Sequence, residues 1–253
     1  WQKTLGHPVR LSELPCGDID PLGITGTPVI DAATGTIYLD AVVRDEKSGA
    51  PAHEIFALSV KDGKVLSGWP VNVAASLAAQ GFIPRNQNQR GALMILDGSL
   101  YVPYGGNDGD CDRYHGWVVR VRLNDPSKVT SWHTAAFGGG IWAPAGISSD
   151  GHALFVATGN TMDARQWGNG EAVIRLDRAL SFSGARKDFF APRDWHALDE
   201  RDLDLGGVAP VLFNDSGRAL ALALGKNGYA YLLDRADLGG FGGSLASKPV
   251  SSA

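Results

Sequence analysis

The chain has 253 residues with a formal net charge of −4, 44% hydrophobic and 20% charged residues. That composition excludes a disordered chain, and charge scattered without a basic stripe argues against nucleic acid as a partner. No apolar run reaches the roughly 18–20 residues that span a bilayer, and 33 Gly and 13 Pro point to many tight turns.

The chain begins at Trp1 rather than Met, which leads us to expect that a leader or a larger N-terminal portion precedes it. Residues 1–6 read as the outer strand of a preceding blade. After the turn at Gly26-Thr27-Pro28, an apolar strand runs through Val29-Ile30-Asp31. Thr36 to Val43, His53 to Val60 and Val65 to Val73 follow as β-rich stretches, with Lys61-Asp62-Gly63-Lys64 as hairpin chemistry between the last two. The unit then recurs. Gln89 to Leu96, Ser99 to Tyr104, Gly116 to Leu123 and Val129 to Ala136 form a second set. Ile141 to Ser148, His152 to Thr158, Glu171 to Leu176 and Ala185 to Phe190 form a third. Val208 to Phe213, Ala219 to Leu224, Tyr229 to Leu233 and Ser244 to Val250 form a fourth.

A period of roughly 50–60 residues without sustained helical periodicity predicts an all-β propeller of four-stranded antiparallel blades. We place the blades at residues 7–75, 76–137, 138–192 and 193–253, the last with a Gly- and Ser-rich end, all in one domain. A blade cannot cover its own apolar faces, so blades stack around an axis. Four blades and an orphan strand predict part of a seven- or eight-bladed ring, closed by further blades or by a partner chain.

Strand direction puts the loops that enter each inner strand, and those joining the second strand to the third, on one face. That face collects Cys16, Asp18 and Asp20 from the first blade, and Asn107, Asp108, Asp110, Cys111, Asp112 and His115 from the second. A Cys16–Cys111 disulfide and an oxidising compartment, periplasmic or secreted, are the expectation, with two buried thiols as the alternative. No CxxC is present, so a zinc ribbon or a thioredoxin-type site is not expected. Trp142, Asn160, Asp204 and Lys226 fall on the same face. Singly, they read as a packing aromatic, a turn amide, a loop cap and a solvated hairpin end; together they could build a ligand site. Asp194, Asp199, Glu200 and Asp202 read as an acidic surface loop, and Asn214-Asp215-Ser216 fits a glycosylation sequon.

Three segments resemble the quinoprotein alcohol dehydrogenase superfamily, the propellers that bind pyrroloquinoline quinone (PQQ). They are Ile141-Trp142 through Thr158-Gly159-Asn160, Asp202-Leu203-Asp204-Leu205-Gly206-Gly207, and Lys226-Asn227-Gly228-Tyr229 through Leu233-Asp234-Arg235. The style of Leu14-Pro15-Cys16-Gly17-Asp18 and Tyr114-His115-Gly116-Trp117 is similar to a group of bacterial PQQ-like propellers without assigned activity. The resemblance implies that Trp142 stacks on the quinone, Asn160 binds calcium and Lys226 touches the quinone oxygens. Asp204 would take the proton of an alcohol or sugar as hydride passes to the quinone. Cys111 stands where the family places a calcium-binding Glu, and the flanking Asp110 and Asp112 would substitute for it. The family's adjacent-cysteine pair is missing, Thr161 replaces the usual Pro, and no haem signature occurs. Two functions follow: a PQQ- and calcium-dependent dehydrogenase of an alcohol or sugar, or a non-catalytic propeller that binds a ligand or protein.

Overall fold

Why the predicted strands pair as they do is visible in the computed structural model, which describes residues 1–162 and 165–251. In the first sheet β1 (Val29–Asp31), β2 (Thr36–Arg44), β3 (Pro51–Ser59) and β4 (Val71–Asn72) pair in chain order, all antiparallel. A short helix α1 (Val73–Leu77) leads on to β5 (Gln87–Asn88), β6 (Met94–Leu96), β7 (Ser99–Gly106), β8 (Trp117–Arg122) and β9 (Asp125–His133). There β5 and β6 both pair with β7, and β8 and β9 complete the second sheet. The third sheet is β10 (Ser148–Ser149), β11 (Ala153–Thr158), β12 (Ala172–Asp177) and β13 (Phe189–Ala191). Helix α2 (Trp195–Glu200) precedes β14 (Val211–Asp215), β15 (Arg218–Leu224) and β16 (Tyr229–Asp234). The two-residue β17 (Gly240–Phe241) crosses back to lie parallel to β13, and β18 (Ala246–Pro249) closes the fourth sheet.

The sheets stack face to face in sequence order, because each strand alternates and its apolar residues need a neighbouring sheet. Val102, Tyr104, Trp117 and Val119 of the second sheet pack on Tyr38, Ile55 and Ala57 of the first. Tyr101 and Val118, on the opposite face, meet Leu154, Val156, Ile174 and Leu176 of the third. Phe155, Val173 and Phe190 then meet Ala221, Ala223, Tyr231 and Leu233 of the fourth. This is four successive blades of a propeller. The fourth sheet's other face is uncovered, with Val211 53% and Phe213 37% exposed, and β18 is exposed throughout.

Three expectations are corrected. The inner stretches Gln89 to Leu96 and Ile141 to Ser148 are not continuous strands, because their backbone groups bond across blades. Leu93 N donates to Thr27 O, Ala92 N to Pro144 O, and Ile141 N to Tyr104 O. Ser148 Oγ likewise donates to Pro210 O. These bonds tie the inner strands to one another around the axis. Gly146 is required here: at φ 72°, a Cβ would lie 2.1 Å from Ala92 O. Residues 1–6 form no strand. They lie along the first sheet's free face, where Leu5 packs beside Val43 and Phe56 and the Trp1 indole donates to Val60 O. Finally, the acidic run before the fourth blade contains helix α2 rather than a plain loop.

Candidate functional site

Asp204 follows α2 in a segment that turns sharply at Asp202, whose φ is 53°. Lys226 N donates to Asp204 O at 2.8 Å, which brings the turn after β15 against this segment. The side chains then meet: Asp204 Oδ2 lies 2.5 Å from Lys226 Nζ, and Oδ1 accepts the Asn160 N–H at 2.7 Å. Asp204 is only 2% exposed. Lys226 Nζ also reaches Asp202 Oδ1 at 3.2 Å. Burial works against the ammonium, but the Asp204 and Asp202 carboxylates outweigh it and hold Lys226 above its ordinary value.

Trp142 stands half-buried beside this pair. Lys226 Nζ is 5.4 Å and the Arg90 guanidinium 5.6 Å from its ring centroid, both within cation–π range. The close approach depends on Gly159, where a Cβ would fall 2.7 Å from Asp204 Oδ1 and 3.0 Å from Trp142 Nε1. The geometry thus brings Trp142, Asn160, Asp204 and Lys226 to one cleft of about 760 Å³. Its opposite wall is the β7–β8 loop, through Asn107, Asp108 and Asp110, with Asp18 of the first blade.

That wall is pinned in several ways. Cys16 and Cys111, 95 residues apart, form the expected disulfide, with Cα atoms 5.9 Å apart. Asn107 Nδ2 donates to Arg85 O, and the buried Tyr114 OH donates to Asp110 Oδ1 at 2.5 Å. Asp110 and Asp112 both sit at positive φ, 49° and 62°. This twist separates the two aspartates. Asp110 lines the cleft, whereas Asp112 lines a different cavity with Asn86, Arg113, Phe137 and Met162. The expected calcium set of Asn160, Asp110 and Asp112 is therefore not assembled around one cleft. Among the described residues, no group of three or more His, Cys, Asp or Glu could hold a metal ion.

Two acids escaped the sequence reading. Glu171 has no exposed surface; Oε2 accepts the Leu205 N–H at 2.7 Å and Oε1 has no partner. Burial pushes its carboxyl up to about 8. Its only sequence signal is an acid opening an apolar strand, Glu171-Ala172-Val173-Ile174. Asp199, expected on the surface, accepts from Thr161 N at 2.5 Å and Thr161 Oγ1 at 2.7 Å. Burial likewise raises its carboxyl above the ordinary value. The signal was Thr161 itself, since it offers two donors where a Pro offers none.

No family model matches the chain, and no curated protein matches it. Among solved structures it is similar to BamB from Moraxella catarrhalis, at 14% identity and a TM-score of 0.41, covering 91% of this chain and 60% of that one. It is also similar to Raptor from Chaetomium thermophilum, at 11% identity and a TM-score of 0.35, covering 90% of this chain and 21% of that one. The chain spans less than two thirds of either.

Proposed function

We propose that this chain is the ligand-binding part of a non-catalytic propeller, holding a neutral alcohol or sugar in the cleft beside Trp142. A half-buried indole gives the apolar face of such a molecule a platform, while carboxylates and amides meet its hydroxyls. Five carboxylates, Asp18, Asp108, Asp110, Asp202 and Asp204, face two cations, Arg90 and Lys226, a balance that disfavours an anionic ligand. One observation carries the choice of binding over catalysis. Asp204 is buried, with one oxygen on Lys226 and the other on the Asn160 N–H. A general base must come within hydrogen-bond reach of the proton it removes, and here both oxygens already hold a partner in the cleft wall, which suits the carboxylate to accept from a ligand hydroxyl in place rather than to move with a proton.

A second reading, the PQQ-dependent dehydrogenase, is favoured by Arg90 and Lys226 flanking Trp142, since the quinone carries carboxylates. The residues present do not fit calcium, for the reason given above, and we derive no step through it. Titration of the whole chain with a panel of sugars and alcohols, followed by tryptophan fluorescence, tests the first reading. We expect a saturable change that is lost in Trp142→Ala. A wild-type protein indifferent to the whole panel would sink it. Uptake of PQQ with dye-linked oxidation of the same alcohols would replace it with the second.

The uncovered fourth sheet marks where further blades or a partner chain would complete the ring. A disulfide persists in an oxidising compartment, so we place the protein in the periplasm or outside the cell. No helix among the described residues is long and apolar enough to cross a membrane.

A further inference from the structure

A second cavity, of about 580 Å³, shares no lining residue with the cleft beside Trp142. It lies where Asn86, ahead of β5, meets Asp112 and Arg113 of the β7–β8 loop, Phe137 after β9 and Met162 after β11. Its volume is in the range of small-molecule sites. The walls are tied to one another: Asn86 Nδ2 donates to Arg113 O at 2.9 Å, and Met162 N to Phe137 O at 2.9 Å.

The chemistry of the lining is uncommon. Arg113 lies 5.0 Å over the Phe137 ring, and Phe137 is 37% exposed. Among the described residues the Arg113 guanidinium has no carboxylate partner, and the Asp112 carboxylate has no cation, although the two are adjacent in sequence. Asn86 is 6% exposed, and its Oδ1 lacks a donor. One cavity thus presents an unpaired cation, an unpaired anion and an apolar wall, with the buried Asn86 amide behind it.

We propose that this cavity binds a zwitterionic amino acid with an apolar side chain. The α-carboxylate fits the planar fork of Arg113, which donates two parallel hydrogen bonds to such a group. The α-ammonium pairs with Asp112. The side chain packs on Phe137 and Met162, whose flexible thioether adapts to different shapes. A simple anion would leave Asp112 to water and a simple cation would leave Arg113 to it; a ligand carrying both charges answers both groups at once. This inference is independent of what binds beside Trp142.

Calorimetry on the whole chain tests it, with L-phenylalanine and L-leucine as probes. The controls are 3-phenylpropanoate, which lacks the ammonium, and 2-phenylethylamine, which lacks the carboxylate. We expect saturable binding of the amino acids and at least roughly tenfold weaker binding of each control. Arg113→Gln and Asp112→Asn, both exposed positions, should each weaken L-phenylalanine binding by a similar factor with the circular dichroism spectrum unchanged. Trp142→Ala should leave it intact. Absence of saturable binding to the wild-type chain overturns the proposal, and so does equal binding of the three phenyl compounds. Binding that survives both charge variants, or that is lost in Trp142→Ala, overturns it as well.

Discussion

Replacing Asp40 by Asn should destabilise the protein strongly and reshape its pH dependence. His53 is 0% exposed between the first two sheets. Its Nδ1 lies 2.8 Å from Asp40 Oδ1 and its Nε2 lies 3.0 Å from Gln87 O. Both ring nitrogens face acceptors, so both must carry protons, and the ring is an imidazolium. Asp40 Oδ2 accepts from the Tyr104 OH at 2.8 Å, which completes the pairing of the carboxylate. Burial alone lowers the imidazole, but the Asp40 charge and the two hydrogen bonds outweigh it and raise His53 above its ordinary 6.5. A raised folded value means that this stabilisation is complete below about pH 6.5 and is lost as pH rises through the folded value. Removing one partner of a buried ion pair costs on the order of 3–5 kcal/mol. Urea unfolding of wild type and Asp40→Asn, followed by tryptophan fluorescence from about pH 5 to about pH 9, measures both effects. The wild type should lose stability above about pH 6.5, and the gap to the variant should narrow there. Parallel profiles, or a penalty below about 1 kcal/mol at the acid end, would refute the charged pair.

Three further outcomes are expected. Glu171 titrates near 8 when folded against an ordinary 4.5, so its burial costs stability progressively as pH rises between those values. Glu171→Gln should therefore be more stable than wild type above about pH 8, by a few kcal/mol at most; a less stable variant contradicts the assignment. Cys16→Ser with Cys111→Ser should lower stability by about 2–4 kcal/mol, since the crosslink closes a long loop, and peptide mapping without reductant should recover the linked pair. Free thiols on both residues would remove that account. Gly159→Ala places a Cβ 2.7 Å from Asp204 Oδ1, so the Asn160–Asp204 contact and the fluorescence response to ligand should be lost together. A Gly159→Ala protein that binds as wild type would show that this contact does not shape the cleft.

The repeat was legible because strands in stacked sheets must alternate and turn at regular intervals, which the Lys61-Asp62-Gly63-Lys64 hairpin and the apolar stretches record locally. Strand direction then sufficed to put Cys16 near Cys111 and Trp142 near Lys226. What escaped depends on partners far away in sequence. The breaks at Gln89 to Leu93 and after Ile141 arise from backbone bonds to neighbouring blades, which no local pattern encodes. The positive φ at Asp110 and Asp112 sends two nearby aspartates to different cavities, although both are equally acidic in sequence. Asp199 read as a surface acid and Glu171 only as the start of a strand, because burial of a carboxylate is decided by the segment that packs over it. For Glu171 the covering N–H is Leu205's, 34 residues on.

The Asp204–Lys226 pair is better understood as a positioning device than as a source of stability. Asp204 is buried while the Lys226 ammonium stays partly in water, so the cost of desolvating the carboxylate offsets much of a solvent-screened attraction and the pair adds little net free energy of folding. Its effect is geometric. One carboxylate fixes the Asn160 backbone and the Lys226 head, and through Lys226 it sets a cation 5.4 Å from the Trp142 ring. The disulfide holds the opposite wall in the same way, by a bond between two blades, and Tyr114 fixes Asp110 within its own loop. A cleft whose two walls are each fixed before any ligand arrives loses little conformational freedom on binding. That economy serves a receptor for a small ligand, whereas a catalytic aspartate needs a free oxygen at the reacting atom.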